Sequence, residues 1–283
     1  MIRVRLLKGL LVVVPVVLLV VFLRVIAEEV RRAGVPDGYR VVVEDDRWVV
    51  YGRPGAEGHE EAMRAIDAFE RAFVGTFAEP FSLTLRDEPV VLYVFERREE
   101  FDAFAENRLS RHASQIAGYY RPADRSMVAY GRGQESLLGT LRHEMVHMLL
   151  DMQVAGAQHE WSRWLNEGLA QCFETGLVVD GRALPEPPSA RLRAAWAERR
   201  SAGTVPRVAD FIRDEVGFER DMHFHYVYAE ILVGYLLDRH RERFFEYFER
   251  ERARGPVDPR ELTARFGDDL RPELDAWLAS FER

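Results

Sequence analysis

The sequence predicts an α+β fold in which a small mixed lobe precedes an all-α lobe. Two observations indicate it. Short runs rich in β-branched and aromatic residues, bounded by turn residues, recur up to residue 130, as is typical of strands. From residue 135 onward, apolar residues recur at helical spacing, and the breaks fall at Gly and Pro. We therefore divide the chain into an amino-terminal α+β lobe at 36–135 and a helical lobe at 136–283.

The amino-terminal lobe is expected to contain two hairpins and one buried strand. Residues 39–43 and 48–51 flank a polar four-residue turn, and residues 117–120 and 127–130 flank another turn. The sequence PVVLYVF at 89–95 has the β-branched and aromatic content of a buried strand. The predicted helices of this lobe are 57–77 and 97–109.

The helical lobe is divided by Gly and Pro residues into separate segments. The predicted helices are 136–153, 161–175, 189–200, 207–215, 221–238, 240–252, 259–266 and 271–282. The chain of 283 residues is long enough for one sizeable domain or for two lobes that share a cleft.

The charge pattern argues against a nucleic-acid partner. The formal net charge is −8, Lys8 is the only lysine, and acidic and basic residues are interleaved along the chain. A basic stripe that could follow a phosphate backbone is therefore missing. Cys172 is the only cysteine, so a zinc site in this chain must use nitrogen and oxygen ligands.

The first 27 residues have the pattern of a targeting segment. Arg3, Arg5 and Lys8 precede an apolar run at 9–23, and such a basic cluster favours the cytoplasmic side of a membrane. We expect residues 9–23 to cross the cell membrane once and to anchor the body outside the cytoplasm. The alternative is a cleaved signal peptide at 1–27, which would leave a secreted or periplasmic protein.

The most specific motif is HExxH at 143–147, inside the predicted helix 136–153. Because four residues turn an α-helix by about 400°, His143 and His147 project from one face, one turn apart. Two imidazoles at this spacing suit a tetrahedral Zn²⁺. Glu144 lies at the edge of the same face, close enough to reach a water on the metal.

A second helix offers a third ligand. It contains WLNEGLA at 164–170, and nineteen residues separate His147 from Glu167, which is room for one loop and a returning helix. Glu167 would complete three protein ligands and leave one position for water, as a catalytic zinc requires. Gly168 beside it would allow the two helices to approach closely.

These residues resemble the gluzincin metallopeptidases, the thermolysin-like group, in which HExxH is followed by a glutamate at this distance. WLNEGLA, together with GYY at 118–120, is most similar to the peptidase-MA-like families found in bacteria. The similarity follows the order of elements over residues 89–283 and is specific across 140–175. It implies a thermolysin-like zincin fold, with the active-site helix between the two lobes.

The resemblance also assigns roles to individual residues. His143, His147 and Glu167 would be the zinc ligands, Glu144 the general base, and Asn166 an outer contact that orients a ligand histidine. Enzymes of this kind hydrolyse peptide bonds with a metal-activated water. We therefore expect zinc as the cofactor and a peptide or protein as the substrate.

Gln171 departs from the pattern of these families. Relatives commonly carry an acidic residue four positions after the glutamate ligand, where it holds a ligand imidazole. An amide carbonyl can accept the same imidazole N–H, but more weakly than a carboxylate. We interpret Gln171 as an adjustment of the metal site and not as its loss.

The resemblance implies two further features. The donor to the oxyanion is expected from a Tyr or His in a later helix, and the segment 223–230 is rich in both. Tyr228 is the first choice and His225 the second, with a buried interface aromatic as the alternative for each. Residues 127–130 are expected to be the edge strand that pairs with an extended substrate, with an ordinary internal hairpin as the alternative.

The sequence thus predicts a zinc metallopeptidase of the HExxH-x19-E type. The alternative from another class is a catalytically inactive metal-binding scaffold or binding module at the cell envelope. The substrate, and the choice between endopeptidase and exopeptidase activity, are left open.

Overall fold

The structure is a computed structural model that describes residues 35–55, 59–81, 83–85, 89–109, 116–131, 133–152, 160–267 and 269–282. The predicted anchor or signal peptide at 1–27 lies outside these residues. No helix within the described ranges has both the length and the apolar character that crossing a membrane requires.

A five-stranded mixed sheet forms the centre of the amino-terminal lobe. Its strands are β1 (Arg40–Glu44), β2 (Trp48–Gly52), β3 (Val90–Phe95), β4 (Gly118–Arg121) and β5 (Ser126–Tyr130). Their order across the sheet is β1-β2-β3-β5-β4. The pairs β1–β2 and β4–β5 are antiparallel, whereas β2–β3 and β3–β5 are parallel. The two predicted hairpins and the buried strand between them are confirmed.

Strand β3 is buried on both faces because a helix covers each side of the sheet. Leu92 packs in the same cluster as Phe73 from α1 (His59–Phe81). Tyr93, its neighbour along the strand, points to the other face, where its ring centroid lies 4.8 Å from that of Phe104 in α2 (Arg98–Glu106). The continuous apolar run that predicted this strand therefore reflects burial on both sides.

The second lobe consists mainly of helices. They are α3 (Gln134–Asp151), α4 (Arg163–Glu174), α5 (Ala190–Ser201), α6 (Val208–Phe211), α7 (Gly217–Arg220), α8 (Met222–Arg239), α9 (Arg241–Arg254), α10 (Pro259–Phe266) and α11 (Arg271–Ala279). Most bounds agree with the predicted ones to within two or three residues. The predicted helix at 207–215 is reduced to the single turn of α6.

Helix α8 packs along α4 at very short range. A Cβ atom added at Gly168 would lie 2.6 Å from Val233 Cγ2 and 2.7 Å from the Ala229 carbonyl oxygen. The expectation that Gly168 brings α4 close to the HExxH helix is wrong in its choice of partner. The glycine instead allows the backbones of α4 and α8 to approach each other.

The carboxy-terminal lobe is not all-α, which corrects the prediction. β6 (Leu177–Val179) and β7 (Arg182–Leu184) form an antiparallel hairpin. Its turn residues, Asp180 and Gly181, both have positive φ, 49° and 71°, as the Asp-Gly turn of a two-residue hairpin requires. The Ala183 amide donates to Thr76 Oγ1 of α1 at 2.9 Å, which ties the hairpin to the first lobe.

One hydrophobic cluster contains residues of both lobes. α1 covers one face of the sheet and also contacts α3. As a result, α3, which carries HExxH, lies beside the sheet on one side and beside α4 on the other. The described part of the chain is therefore a mixed α/β structure with a five-stranded mixed sheet.

Candidate metal centre

Helices α3 and α4 bring three ligand atoms to one point. The Nε2 atoms of His143 and His147 are 3.0 Å apart, as expected for residues one turn apart on a helix. Glu167 Oε2, from α4, lies 3.5 Å from the first of these nitrogens and 3.6 Å from the second. The three residues form a group that could hold a metal ion.

The hydrogen bonds around the group leave its inner atoms without donors. His147 Nδ1 is 2.9 Å from the side-chain oxygen of Asn166, and because that oxygen only accepts, Nδ1 carries the proton and Nε2 keeps its lone pair. Glu167 Oε2 is buried and has no hydrogen-bond partner among the described residues. Lone pairs and an anionic oxygen directed at one point are suited to a cation.

The charges within the group are strongly coupled. Burial by itself raises the pKa of Glu167, but the neighbouring His147 and His143 hold that pKa well below its ordinary value. Burial likewise opposes protonation of His143, but the nearby carboxylates of Glu167 and Glu174 raise its pKa to about 10. Positive charge next to the buried Glu167 carboxylate is therefore favourable, and a divalent cation bound to neutral imidazoles would supply it.

Asn166 lies where the resemblance implied, but Gln171 behaves differently from the expectation. Its amide nitrogen, and not its carbonyl, lies 3.2 Å from His143 Nδ1. The same nitrogen donates to Glu174 Oε2 at 2.9 Å, and this carboxylate oxygen is 3.5 Å from His143 Nδ1. Glu174 is not among the site residues predicted from the sequence. Its position two helical turns after Glu167, on the same face of α4, was the available signal.

Glu144 is buried beside the group. Burial raises the pKa of its carboxyl group, and the neighbouring His143 and His147, together with a hydrogen bond from the backbone N–H of Tyr120 in β4, partly oppose this shift. The close approach of β4 to α3 depends on Gly118. A Cβ atom there would lie 2.5 Å from Thr140 Cγ2 and 3.2 Å from Glu144 Cγ. Strand β4 is therefore held directly against the helix that carries HExxH.

The group opens into a cleft of about 1250 Å³ that β4 lines on one side. The edge strand on this side of the sheet is β4, so the expectation that residues 127–130 form the edge is wrong. They belong to β5, which pairs with β3 on one side and with β4 on the other. The Ala117 carbonyl accepts the Tyr130 amide at 2.7 Å. The alternation of an antiparallel ladder then turns the backbone groups of Gly118 and Tyr120 away from β5.

The two predicted oxyanion donors do not line the cleft. Tyr228 is fully buried, stacks on Phe211 with ring centroids 4.0 Å apart, and donates its hydroxyl to the Pro206 carbonyl at 3.1 Å. His225 is buried as well, with Nδ1 3.0 Å from the Asp221 carbonyl oxygen. Both side chains therefore serve the packing of α8 against α6 and its flanking segments.

His223 and Tyr226 are the residues of the segment 223–230 that line the cleft. Residues two apart on a helix point in nearly opposite directions, so Tyr226 faces the metal group while Tyr228 faces the core. Burial and the negative charge of Glu167 raise the pKa of the Tyr226 hydroxyl well above its ordinary value. The sequence therefore predicts the correct segment, 223–230, but not the face of the helix that lines the cleft.

A comparison with known protein families gives a match over part of the helical lobe. Residues 137–258 are similar to a family described as "Protein of unknown function (DUF1570)". No protein with a curated description matches the chain. The matched segment contains the His/His/Glu group together with Glu144 and Tyr226, so the similarity covers the candidate metal centre without assigning an activity to it.

Proposed function

We propose that this chain is a zinc metallopeptidase of the gluzincin type, with the layout of a thermolysin-like enzyme of the peptidase-MA-like group. The observation that carries the proposal is the convergence of His143, His147 and Glu167, with a buried carboxylate oxygen that lacks a protein donor. Glu144 beside this group supplies a base. Three nitrogen and oxygen ligands with one open position are typical of catalytic zinc sites, whereas structural sites use four.

The residues present fit a zinc ion. His143 and His147 would bind it through Nε2, and Glu167 would bind it through the carboxylate oxygen that is otherwise unpartnered. When bound, zinc acidifies a water molecule and polarises a substrate carbonyl. Asn166 fixes the tautomer of His147, since its side-chain oxygen holds the proton on Nδ1 and leaves Nε2 free.

Glu144 is proposed as the general base and acid. Its carboxylate takes a proton from the attacking water, and the same proton then passes to the nitrogen of the leaving amine as the C–N bond breaks. A carboxyl group that alternates between the two protonation states is favoured by a raised pKa, and burial supplies that shift here. The hydrogen bond from the backbone of Tyr120 keeps the side chain directed at the cleft.

Tyr226 is proposed as the hydrogen-bond donor to the oxyanion, in place of Tyr228 and His225. Its hydroxyl lies at the cleft, and its raised pKa keeps it protonated at neutral pH, so that it can donate. A donor placed where negative charge develops stabilises the transition state more than the ground state.

The substrate is proposed to be a peptide bound as an additional strand on β4. The Gly118 backbone groups and the Tyr120 carbonyl face away from β5 at the edge that borders the cleft, whereas the Tyr120 N–H donates to Glu144. An extended peptide can pair with such an edge through its own backbone, which gives affinity for many sequences. We further propose that the enzyme acts outside the cytoplasm, tethered to the cell membrane through residues 9–23.

The test compares the full chain with its Glu144→Gln variant. We expect stoichiometric zinc in both proteins and cleavage of an unbiased peptide library by the wild type alone. Stoichiometric zinc without cleavage by the wild type would favour a metal-binding scaffold at the cell envelope. A wild-type protein that binds no zinc would overturn the proposed metal centre altogether.

A further inference from the structure

His143 has two polar neighbours on the side away from the metal group. Gln171 Nε2 lies 3.2 Å from its Nδ1 atom, and Glu174 Oε2 lies 3.5 Å from the same atom. Both neighbours belong to the last two turns of α4, and both line the cleft. The chemistry of these atoms decides which of them orients the imidazole.

A metal bound at Nε2 requires the proton of the neutral imidazole to be on Nδ1. The amide nitrogen of Gln171 is also a donor, so two donors would face each other at 3.2 Å. The carboxylate of Glu174 is an acceptor and can receive the Nδ1 proton. Gln171 in turn donates to that same carboxylate oxygen at 2.9 Å, which fixes the position of the acceptor.

The local packing allows Glu174 to occupy this position. It follows Glu167 by seven residues, close to two full turns, so both carboxylates lie on the same face of α4. On the facing helix α3, a Cβ atom added at Gly139 would lie 3.5 Å from Glu174 Cγ. The Glu174 side chain therefore packs against α3 at Gly139, one turn before His143.

We propose that Glu174 is the positioning residue that orients His143, and that Gln171 fixes the Glu174 carboxylate through its hydrogen bond. This role rests on the metal centre proposed above. In this role Glu174 takes the place of the acidic residue expected at position 171, three residues earlier in α4. The two imidazoles then differ in their outer contacts, because His143 faces a carboxylate while His147 faces the neutral amide oxygen of Asn166. Because a carboxylate partner raises the basicity of an imidazole, we expect His143 to be a stronger zinc ligand than His147.

The experiment measures zinc affinity by competition with a chromophoric chelator, using full-length chains. We expect Glu174→Gln to weaken zinc binding about 10–100-fold, the range typical of outer contacts in metal sites. Glu198→Gln, an exposed change on α5 outside the cleft, is the matched control and should leave the affinity unchanged. The visible spectrum of bound Co²⁺ should change in the first variant and stay constant in the second.

A swap of the two residues sharpens the test. In the double variant Gln171→Glu with Glu174→Gln, a carboxylate would stand close to His143 Nδ1 at position 171, so we expect zinc affinity to recover to within a few-fold of the wild type. Unchanged affinity in Glu174→Gln, or a loss that the swap does not restore, would overturn the role of Glu174. A wild type that binds no zinc would instead overturn the metal centre itself. These readings need no peptidase activity.

Discussion

The metal-binding pair of helices, α3 and α4, contrasts with α8, which packs directly against α4 and contributes Tyr226 to the cleft. In the pair, the distances between ligand atoms follow from spacing along the chain, because His143 and His147 share one helix face. In α8, the sequence indicates an aromatic-rich segment, but its apolar residues surround most of the helix. Local periodicity therefore determines which side chains of α3 and α4 come together at the metal group. In α8, tertiary packing determines which side chains reach the cleft.

The contrast is sharpest at Tyr226 and Tyr228. They differ by two positions, yet one lines the cleft and the other donates to the Pro206 carbonyl in the core. An amphipathic helix shows its buried face in the sequence, but a helix that is buried nearly all round does not. The function of a residue on such a helix can be assigned only after its neighbours are known.

The largest expected effect, on zinc binding, comes from substituting one histidine in each of the two regions separately. His147→Gln should weaken zinc binding by more than the roughly 100-fold that an outer contact costs, with matching loss of peptidase activity. His225→Gln should keep stoichiometric zinc, because its ring faces the Asp221 carbonyl and not the metal group. Zinc analysis after dialysis checks both. Loss of zinc from His225→Gln would show that α8 contributes to the metal site in a way the structure does not reveal.

The next effect separates the two tyrosines of α8. Tyr226→Phe should lower kcat by about 10²–10³-fold with little change in KM, which is the result expected for loss of one oxyanion donor. Tyr228→Phe should leave kcat unchanged and reduce the free energy of unfolding by about 1 kcal/mol, because the Pro206 carbonyl loses its donor. Steady-state kinetics and denaturant unfolding of both variants provide the measurement. The reverse pattern would restore Tyr228 as the donor.

The same contrast explains how far the sequence could predict the molecule. The sheet hairpins, most helices and the HExxH–Glu167 group follow from local patterns that burial and spacing impose. The β6–β7 hairpin was missed although Asp180-Gly181 after a β-branched run is a strong turn signal. The identity of the edge strand could not be predicted, because strand order depends on parallel pairings between segments distant in the chain. The contact between Glu174 and His143 likewise depends on how α3 and α4 cross.

A third prediction tests the close packing between the two regions. Gly168→Ala should destabilise the protein by about 1–3 kcal/mol, because its Cβ would overlap Val233 and the Ala229 carbonyl. Gly139→Ala, in the interior of α3, meets only ordinary contacts and should stabilise by about 0.5–1 kcal/mol through helix propensity. Denaturant unfolding measures both changes. Equal effects of the two substitutions would mean that α4 and α8 are further apart than described.

The last effect appears only at high pH and concerns Glu230, where α8 meets the acidic end of α4. Burial, and then the charges of Glu174 and Glu186, raise its pKa to about 8. Between its unfolded pKa of about 4.5 and this value, the folded state binds more protons than the unfolded state, so its contribution to stability falls as pH rises through that window. The Glu230→Gln variant does not lose stability in this way as pH rises. Its gain in the free energy of unfolding over the wild type should be smaller than the full pKa shift implies, because a buried amide also loses hydration.

We therefore expect Glu230→Gln to leave stability nearly unchanged at pH 5 and to increase it by roughly 1–3 kcal/mol at pH 8.5. Denaturant unfolding of the variant and the wild type at both pH values gives the difference, in which changes common to both proteins cancel. Glu198→Gln, an exposed change on α5, should show no such pH dependence. An equal gain at both pH values would indicate that Glu230 is ionised in the folded protein throughout. In that case the boundary between the two regions would be better solvated than its burial implies.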